Sequence, residues 1–279
     1  MSAPKLAQYW SESKEDGRAY KHPVSGVRVP SVTTICGMSD KSGLAQYSAD
    51  RTAKWCAENW SLLASKSDED AIRGARYRWK DHADERANVG TEVHEWVETW
   101  SEDGFAYPEL GYDAQQCVDR FLDFTVEHEF QPYYSEVTVW SEKHGYAGTF
   151  DWLGLLDNKP TLGDTKTSRK LHDEHRMQLA ALKNADYMLL LQPDGTYIQE
   201  DMPDIESLMF LHLRPDDYDD LYKRSDQSFY ALEELSMDEA DLYFKRFLGY
   251  REVFESVQEL KLLRKSVSVQ KETDQKVEW

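Results

Sequence analysis

The chain has 279 residues, 52 of them acidic and 33 basic, for a formal net charge of −19. Domains usually run to about 100–200 residues, so the length fits one large domain or one domain with an appendage, enough for a real core. With 40% hydrophobic residues the composition is that of a folded protein, and no stretch approaches the ~20 apolar residues of a membrane helix. The opening ten residues lack an apolar signal-peptide core, which points to a cytoplasmic protein. Cys36, Cys56 and Cys117 are far apart and odd in number, so neither a disulfide framework nor a zinc site is signalled. The charge weighs against a broad basic surface of the kind that binds nucleic acid. An acidic nucleic-acid enzyme must collect positive charge locally, from metal ions and a few Arg and Lys clusters. Much of the acid sits in runs at 67–70, 201–206, 216–220 and 233–241, which read as solvated faces.

In chain order, residues 19–35 read as two short strands around a turn at Ser25-Gly26, ending in Pro30–Ile35. Residues 44–65 read as a helix carrying Trp55 and Trp60. Residues 84–101 read as a second helix, with Val89, Val93, Trp96, Val97 and Trp100 on one buried face. A third helix spans 112–129 and closes at Gln131-Pro132. The pattern then changes to strands at 134–141, 146–156 and 161–167. A strongly apolar helix over 173–191, a strand over 208–213 and a long helix over 237–265 follow. Ser236-x-x-Glu239 fits a capping box for that last helix. A polar tail after Ser266 is expected to fray. The fold class is mixed α/β, one domain over 1–265. It divides into an N-terminal helical region over 1–84, a core over about 85–215 and the C-terminal helix.

Chemistry concentrates between Glu136 and Gln178. Asp164 and Lys166 alternate with Thr165 on a strand, so both point the same way. A hairpin turn centred between Asn158 and Lys159 would put Asp151 opposite Lys166, with Asp164 as its diagonal neighbour. A turn centred between Lys143 and His144 would put Glu136 opposite Asp151. Three carboxylates and an ammonium then meet on one sheet face, and a one-residue slip would undo this. Such a cluster suits Mg²⁺ or Mn²⁺, which take oxygen ligands and keep waters. It also suits phosphodiester hydrolysis, in which a lysine beside the metal stabilises developing charge. Asp and Lys two apart are common on surface strands, so the wider set carries the reading. Gly148 and Gly163 add close approach.

Gly148-Thr149-Phe150-Asp151, thirteen residues before Asp164-Thr165-Lys166-Thr167, and then Gln178-Leu179-Ala180-Ala181, resemble the RecB-type nuclease domain of the PD-(D/E)XK superfamily. Gly90-Thr91-Glu92-Val93-His94 resembles the helical motif of that family. The resemblance covers roughly residues 85–190. It implies a restriction-endonuclease-like mixed sheet flanked by helices. It implies that Asp151, Asp164, the carbonyl of Thr165 and His94 hold Mg²⁺ or Mn²⁺, with Glu136 at a less constant acidic position. Lys166 would be the catalytic lysine, and Gln178 would position the site or the DNA. The implied activity is a phage DNA exonuclease of recombination, repair or replication. Its partners would be a DNA end and a single-strand annealing recombinase. Two departures stand out. Leu182 occupies a place where the family often has Tyr, and the cysteine set of the iron–sulfur relatives is missing, so no iron–sulfur cluster is expected.

Other features have competing readings. Arg73, Arg76, Tyr77, Arg78, Trp79 and Lys80 interleave cations and aromatics as a strand-gripping patch would, or as a solvated surface does. His172 and His175 lack the spacing of a zinc protease. A structure- or sequence-specific endonuclease on the same core, and a catalytically silent DNA-binding or interaction module, remain alternatives.

Overall fold

Seven strands form one mixed sheet, in the order β10-β9-β6-β5-β4-β7-β8, in a computed structural model of the chain. The structure describes residues 6–9, 17–39, 42–103, 109–168, 170–213 and 230–277. The acidic run at 216–220 lies outside them. A separate three-stranded sheet joins β1 (Ala7–Tyr9), β2 (Arg18–Lys21) and β3 (Arg28–Pro30). Four helices follow: α1 (Val32–Cys36), α2 (Ser42–Glu58), α3 (Trp60–Ala64) and α4 (Asp68–Ala75). The long α5 (Arg78–Asp103) and α6 (Tyr112–Glu127) precede the main sheet.

The sheet begins as an antiparallel meander of β4 (Phe130–Ser141), β5 (Tyr146–Leu156) and β6 (Lys159–Lys166). Next come α7 (Asp173–Lys183), β7 (Tyr187–Leu191) and β8 (Tyr197–Asp201). β9 (Ser207–His212) returns to lie parallel to β6, and β10 (Ala231–Glu234) closes that edge. The chain ends in α8 (Met237–Val277).

Apolar clusters on the two sides of the sheet hold the helices. Phe150, Leu162 and Phe210 pack with Met177 and Leu182 of α7 and with Ala240 and Phe247 of α8. On the other side Trp152, Leu156 and Leu211 pack with Val93, Trp96 and Val97 of α5 and with Phe121 and Phe124 of α6. The stripe read for α5 is therefore the buried one, with Val89 and Trp100 at its partly buried margins. Burying each such large side chain contributes about 1.5–3 kcal/mol.

Several expectations need correction. Ser31–Ile35 is not strand: the Ser31 Oγ accepts from the Thr34 amide at 3.0 Å and caps α1. The helix read over 44–65 breaks at Asn59, whose side chain donates to the Trp55 carbonyl. The helix read over 173–191 stops at Lys183, and Tyr187–Leu191 is a strand paired with β4. A short apolar run such as Tyr-Met-Leu-Leu-Leu suits either state, and the open edge of β4 decides it. The capping box of α8 is present, with the Glu239 amide donating to Ser236 Oγ and the Ser236 amide donating to Glu239 Oε2. That helix runs on to Val277, past Ser266 where a frayed tail was expected.

The two hairpin registers fare differently. Val137 faces Phe150 and Ser135 faces Trp152, so Glu136 stands opposite Asp151 as read from the sequence. The β5–β6 turn is a two-residue turn, Asp157-Asn158, with φ of 49° and 65°. Both residues are left-handed, a conformation that Asp and Asn tolerate and that a tight hairpin requires. Leu156 therefore pairs with Lys159 and Trp152 with Gly163. The register differs by two residues from the expected one, so side chains keep their faces. Asp151, however, comes opposite Asp164 rather than Lys166.

Candidate active site

The β5–β6 ladder ends at Trp152 and Gly163, and the acidic residues lie just past that end. Beyond it the Thr165 amide donates to Asp151 Oδ2 at 2.6 Å, so a side chain replaces the missing backbone partner. Ser135 Oγ donates to the Asp151 carbonyl at 3.2 Å. Glu136 has φ of 53°, a left-handed conformation costly for a residue with a Cβ, and it falls between paired neighbours in the β4–β5 ladder. Side-chain packing also switches here. Phe150 joins the cluster with α7 and Trp152 the cluster with α5, although strict alternation would put both on one side. The local break thus takes Glu136 and Asp151 out of the flat sheet and leaves them beside α5.

From α5, His94 Nδ1 lies 3.6 Å from Asp151 Oδ2 and 3.7 Å from Glu136 Oε1. Ligand atoms of His94, Glu136 and Asp151 all fall within 4.8 Å of one another. The Asp151 charge, opposed by burial and aided by nearby Glu136, pushes the His94 pKa up to about 9. Without metal the imidazolium therefore serves as the counter-ion of the two carboxylates.

Lys166 Nζ donates to Asp164 Oδ1 at 2.8 Å and lies 2.7 Å from Oδ2. Asp164 Oδ2 is buried and, among the described residues, accepts no well-directed hydrogen bond. Burial pushes the Asp164 carboxyl up to about 6, against the pull of Lys166. Burial pulls on the Lys166 ammonium in the opposite sense, but Asp164 and then Asp151 outweigh it and hold it above the ordinary lysine value. Thr165 is buried, and among the described residues its Oγ1 has no hydrogen-bond partner.

The donor set fits a hard divalent cation. It offers carboxylate oxygens from two strands, an imidazole nitrogen and a buried carboxylate oxygen of Asp164 that is ion-paired with Lys166. His94, Glu136 and Asp151 form the tight group. Asp164 stands beside it, held by Lys166.

These residues line a cavity of about 470 Å³ together with Gln178. A second cavity of about 400 Å³ shares His94, Lys166 and Gln178 with the first and continues past Thr167, Ser168 and His175. The cluster therefore lies where two cavities meet. Gln178 of α7 is half-buried at that junction. His175, one turn earlier, accepts from the His172 amide at its Nδ1, and burial with the nearby Lys166 lowers its pKa to about 3. Leu182, in the place of the expected Tyr, is buried and lines the first cavity.

The two glycines have packing roles. A Cβ on Gly163 would come within 1.9 Å of the Trp152 ring, and one on Gly148 within 2.6 Å of Leu182. The close approach is to side chains of the core.

None of Arg73, Arg76, Tyr77, Arg78, Trp79 and Lys80 lines either cavity. Arg73 pairs with Asp70 and Arg78 with Asp81. Arg78 also stacks on Trp55, and Lys80 on Tyr77 and Trp79. From Lys80 to His94 the helix rises about 21 Å. Lys80 thus stands about four turns along α5 from His94.

Several cavity residues escaped the sequence reading, among them Arg18, Tyr20, Glu95, Glu98 and the role of Thr149. Tyr20 and Thr149 share a hydrogen bond of 2.9 Å between β2 and β5. No local motif marks Arg18 or Tyr20, and the hydrogen-bond partner of Tyr20 is brought in from more than a hundred residues away. Thr149 lies inside a quoted motif, but its role shows only in three dimensions.

No protein-family model matches the chain, and no curated protein matches it. Among the described residues, no helix is long and apolar enough to cross a membrane.

Proposed function

We propose that the protein is a Mg²⁺- or Mn²⁺-dependent nuclease that hydrolyses phosphodiester bonds from DNA ends. The reading rests on one observation: His94 from a helix, Glu136 and Asp151 from two strands, and the Asp164–Lys166 pair from a third converge at the junction of two cavities. A restriction-endonuclease-like core, a RecB-type family and a role in phage DNA recombination belong to the same proposal, as does a cytoplasmic location. The mixed sheet with β5 and β6 parting at the acidic residues supports it.

A bound divalent cation would neutralise phosphate oxygens and make an attacking water more acidic. His94, Glu136, Asp151 and Asp164 would hold it. The Thr165 amide keeps Asp151 oriented. Lys166, half of a buried pair, would give up part of its contact with Asp164 to face the charge that develops on phosphorus. Gln178 would donate or accept beside it at the cavity junction. The second cavity gives the strand room on both sides of the cluster. The acidic exterior repels duplex flanks, which favours a single strand led in from an end.

The test is digestion of labelled DNA as linear single strands, linear duplex and closed single-stranded circles, with Mg²⁺, Mn²⁺ or EDTA. Soluble nucleotides should appear from linear DNA only with metal, slowly or not at all from circles, and less at higher salt. Equal rates on circles would replace exonuclease action with endonuclease action. No cleavage of any substrate would remove the nuclease reading.

A further inference from the structure

One cation in the site has no use in the scheme above. Arg18 is set on a rigid backbone: its amide donates to Thr34 Oγ1 at 2.8 Å, and its carbonyl accepts from Thr34 Oγ1 at 2.9 Å and from the Ser31 amide at 3.0 Å. Its side chain lines the larger cavity beside Tyr20, Thr33 and Thr149. Among the described residues its guanidinium has no hydrogen bond and no ion pair. Other arginines are claimed: Arg86 by Asp113, Arg176 by Glu233, Arg246 by Asp173 and Arg251 by Glu255. Arg18 shares its cavity with Glu136, Asp151 and Asp164 and still pairs with none of them. In a chain of net charge −19, an exposed guanidinium that lines the cavity of the acidic cluster, with no partner among the described residues, offers a site for an anion brought from outside.

We propose that Arg18 binds a phosphate of the substrate strand next to the one being hydrolysed. The proposal rests on the nuclease reading and names the residue that holds the strand in register. The planar guanidinium forks two hydrogen bonds onto phosphate oxygens, which a lysine cannot match. The hydroxyl of Thr33 in the same cavity supplies a further donor. The phosphate is either a strand terminus or an internal diester, since both present the same oxygens.

Binding is measured apart from cleavage, by fluorescence anisotropy of a short single strand in Ca²⁺, with the wild-type protein, Arg18→Gln and Arg18→Lys. Arg18→Gln should bind on the order of tenfold to a hundredfold more weakly, with Arg18→Lys between. A neutral methylphosphonate walked along the strand should weaken wild-type binding at one position and leave Arg18→Gln indifferent there. Strands with and without a terminal phosphate then tell terminus from internal diester. Equal affinity and equal position profiles for wild type and Arg18→Gln would overturn the proposal. In the cleavage assay Arg18→Gln should raise KM about tenfold and change kcat far less. A fall in kcat with KM unchanged would also overturn it. Failure of the wild-type protein to cleave would count against the nuclease reading alone, since the binding arm decides the role of Arg18 without turnover.

Discussion

The backbone amide of Thr165 donates to Oδ2 of Asp151 at 2.6 Å, across the point where β5 and β6 stop pairing. Asp151 therefore has a structural duty besides any metal. Asp151→Asn keeps an acceptor for the amide, so in EDTA it should melt close to wild type while losing Mn²⁺ affinity. Asp151→Ala leaves the amide unpaired and should cost about 1–3 kcal/mol as well. Chemical denaturation in EDTA and calorimetric Mn²⁺ titration separate the two. Equal stability of the Ala and Asn variants would mean that the hydrogen bond contributes nothing.

Glu136 sits at φ of 53° with its carboxylate beside two other charged groups. Strain of this kind persists where a function holds it. Glu136→Gly should stabilise the metal-free protein by about 1 kcal/mol and weaken metal binding. A destabilised Glu136→Gly would show that its side chain supports the fold.

The His94 pKa of about 9 lies above its ordinary 6.5. Its contribution to metal-free stability is therefore full below pH 6.5 and is lost as pH rises through about 9. Melting temperature in EDTA should fall across that window, and His94→Gln should flatten the fall. Because a ligand imidazole must be neutral, adding Mn²⁺ near pH 7.5 should release a proton from the wild type and less from His94→Gln. A melt indifferent to pH from 6 to 10 would contradict the charge state assigned to His94.

Gly163 lies opposite Trp152 with no room for a methyl group: an added Cβ would come within 1.9 Å of the ring. Gly163→Ala should destabilise by about 1–3 kcal/mol or more, as overpacking does. Retained stability would mean that the Trp152 ring moves aside easily.

What could be read in the sequence depended on how local the cause was. The α5 stripe and the capping box of α8 follow from spacing along one helix, and both stand. Asp164 and Lys166 share a strand face by alternation alone, and the salt bridge follows. The β5–β6 register needed the turn type, and centring one position too late moved Lys166 into the place of Asp164. The β7 strand needed knowledge of the open β4 edge, which no local pattern carries. Arg18 and Tyr20 were invisible for the same reason, since the separate β1–β3 sheet delivers them to the cavity. For the Arg73–Lys80 patch, proximity in sequence did not convey distance in space, because α5 carries Lys80 about 21 Å along its axis from His94.

The most direct test compares wild-type protein with Asp164→Asn and Lys166→Met. Breaking a buried pair costs several kcal/mol, so circular dichroism must first confirm that each variant is folded at the assay temperature. Release of soluble nucleotides from labelled linear DNA is then followed in Mg²⁺ and in Mn²⁺. The wild-type protein should digest the DNA and both folded variants should not. Cleavage by either folded variant at near the wild-type rate would contradict the assignment of the chemistry to this cluster.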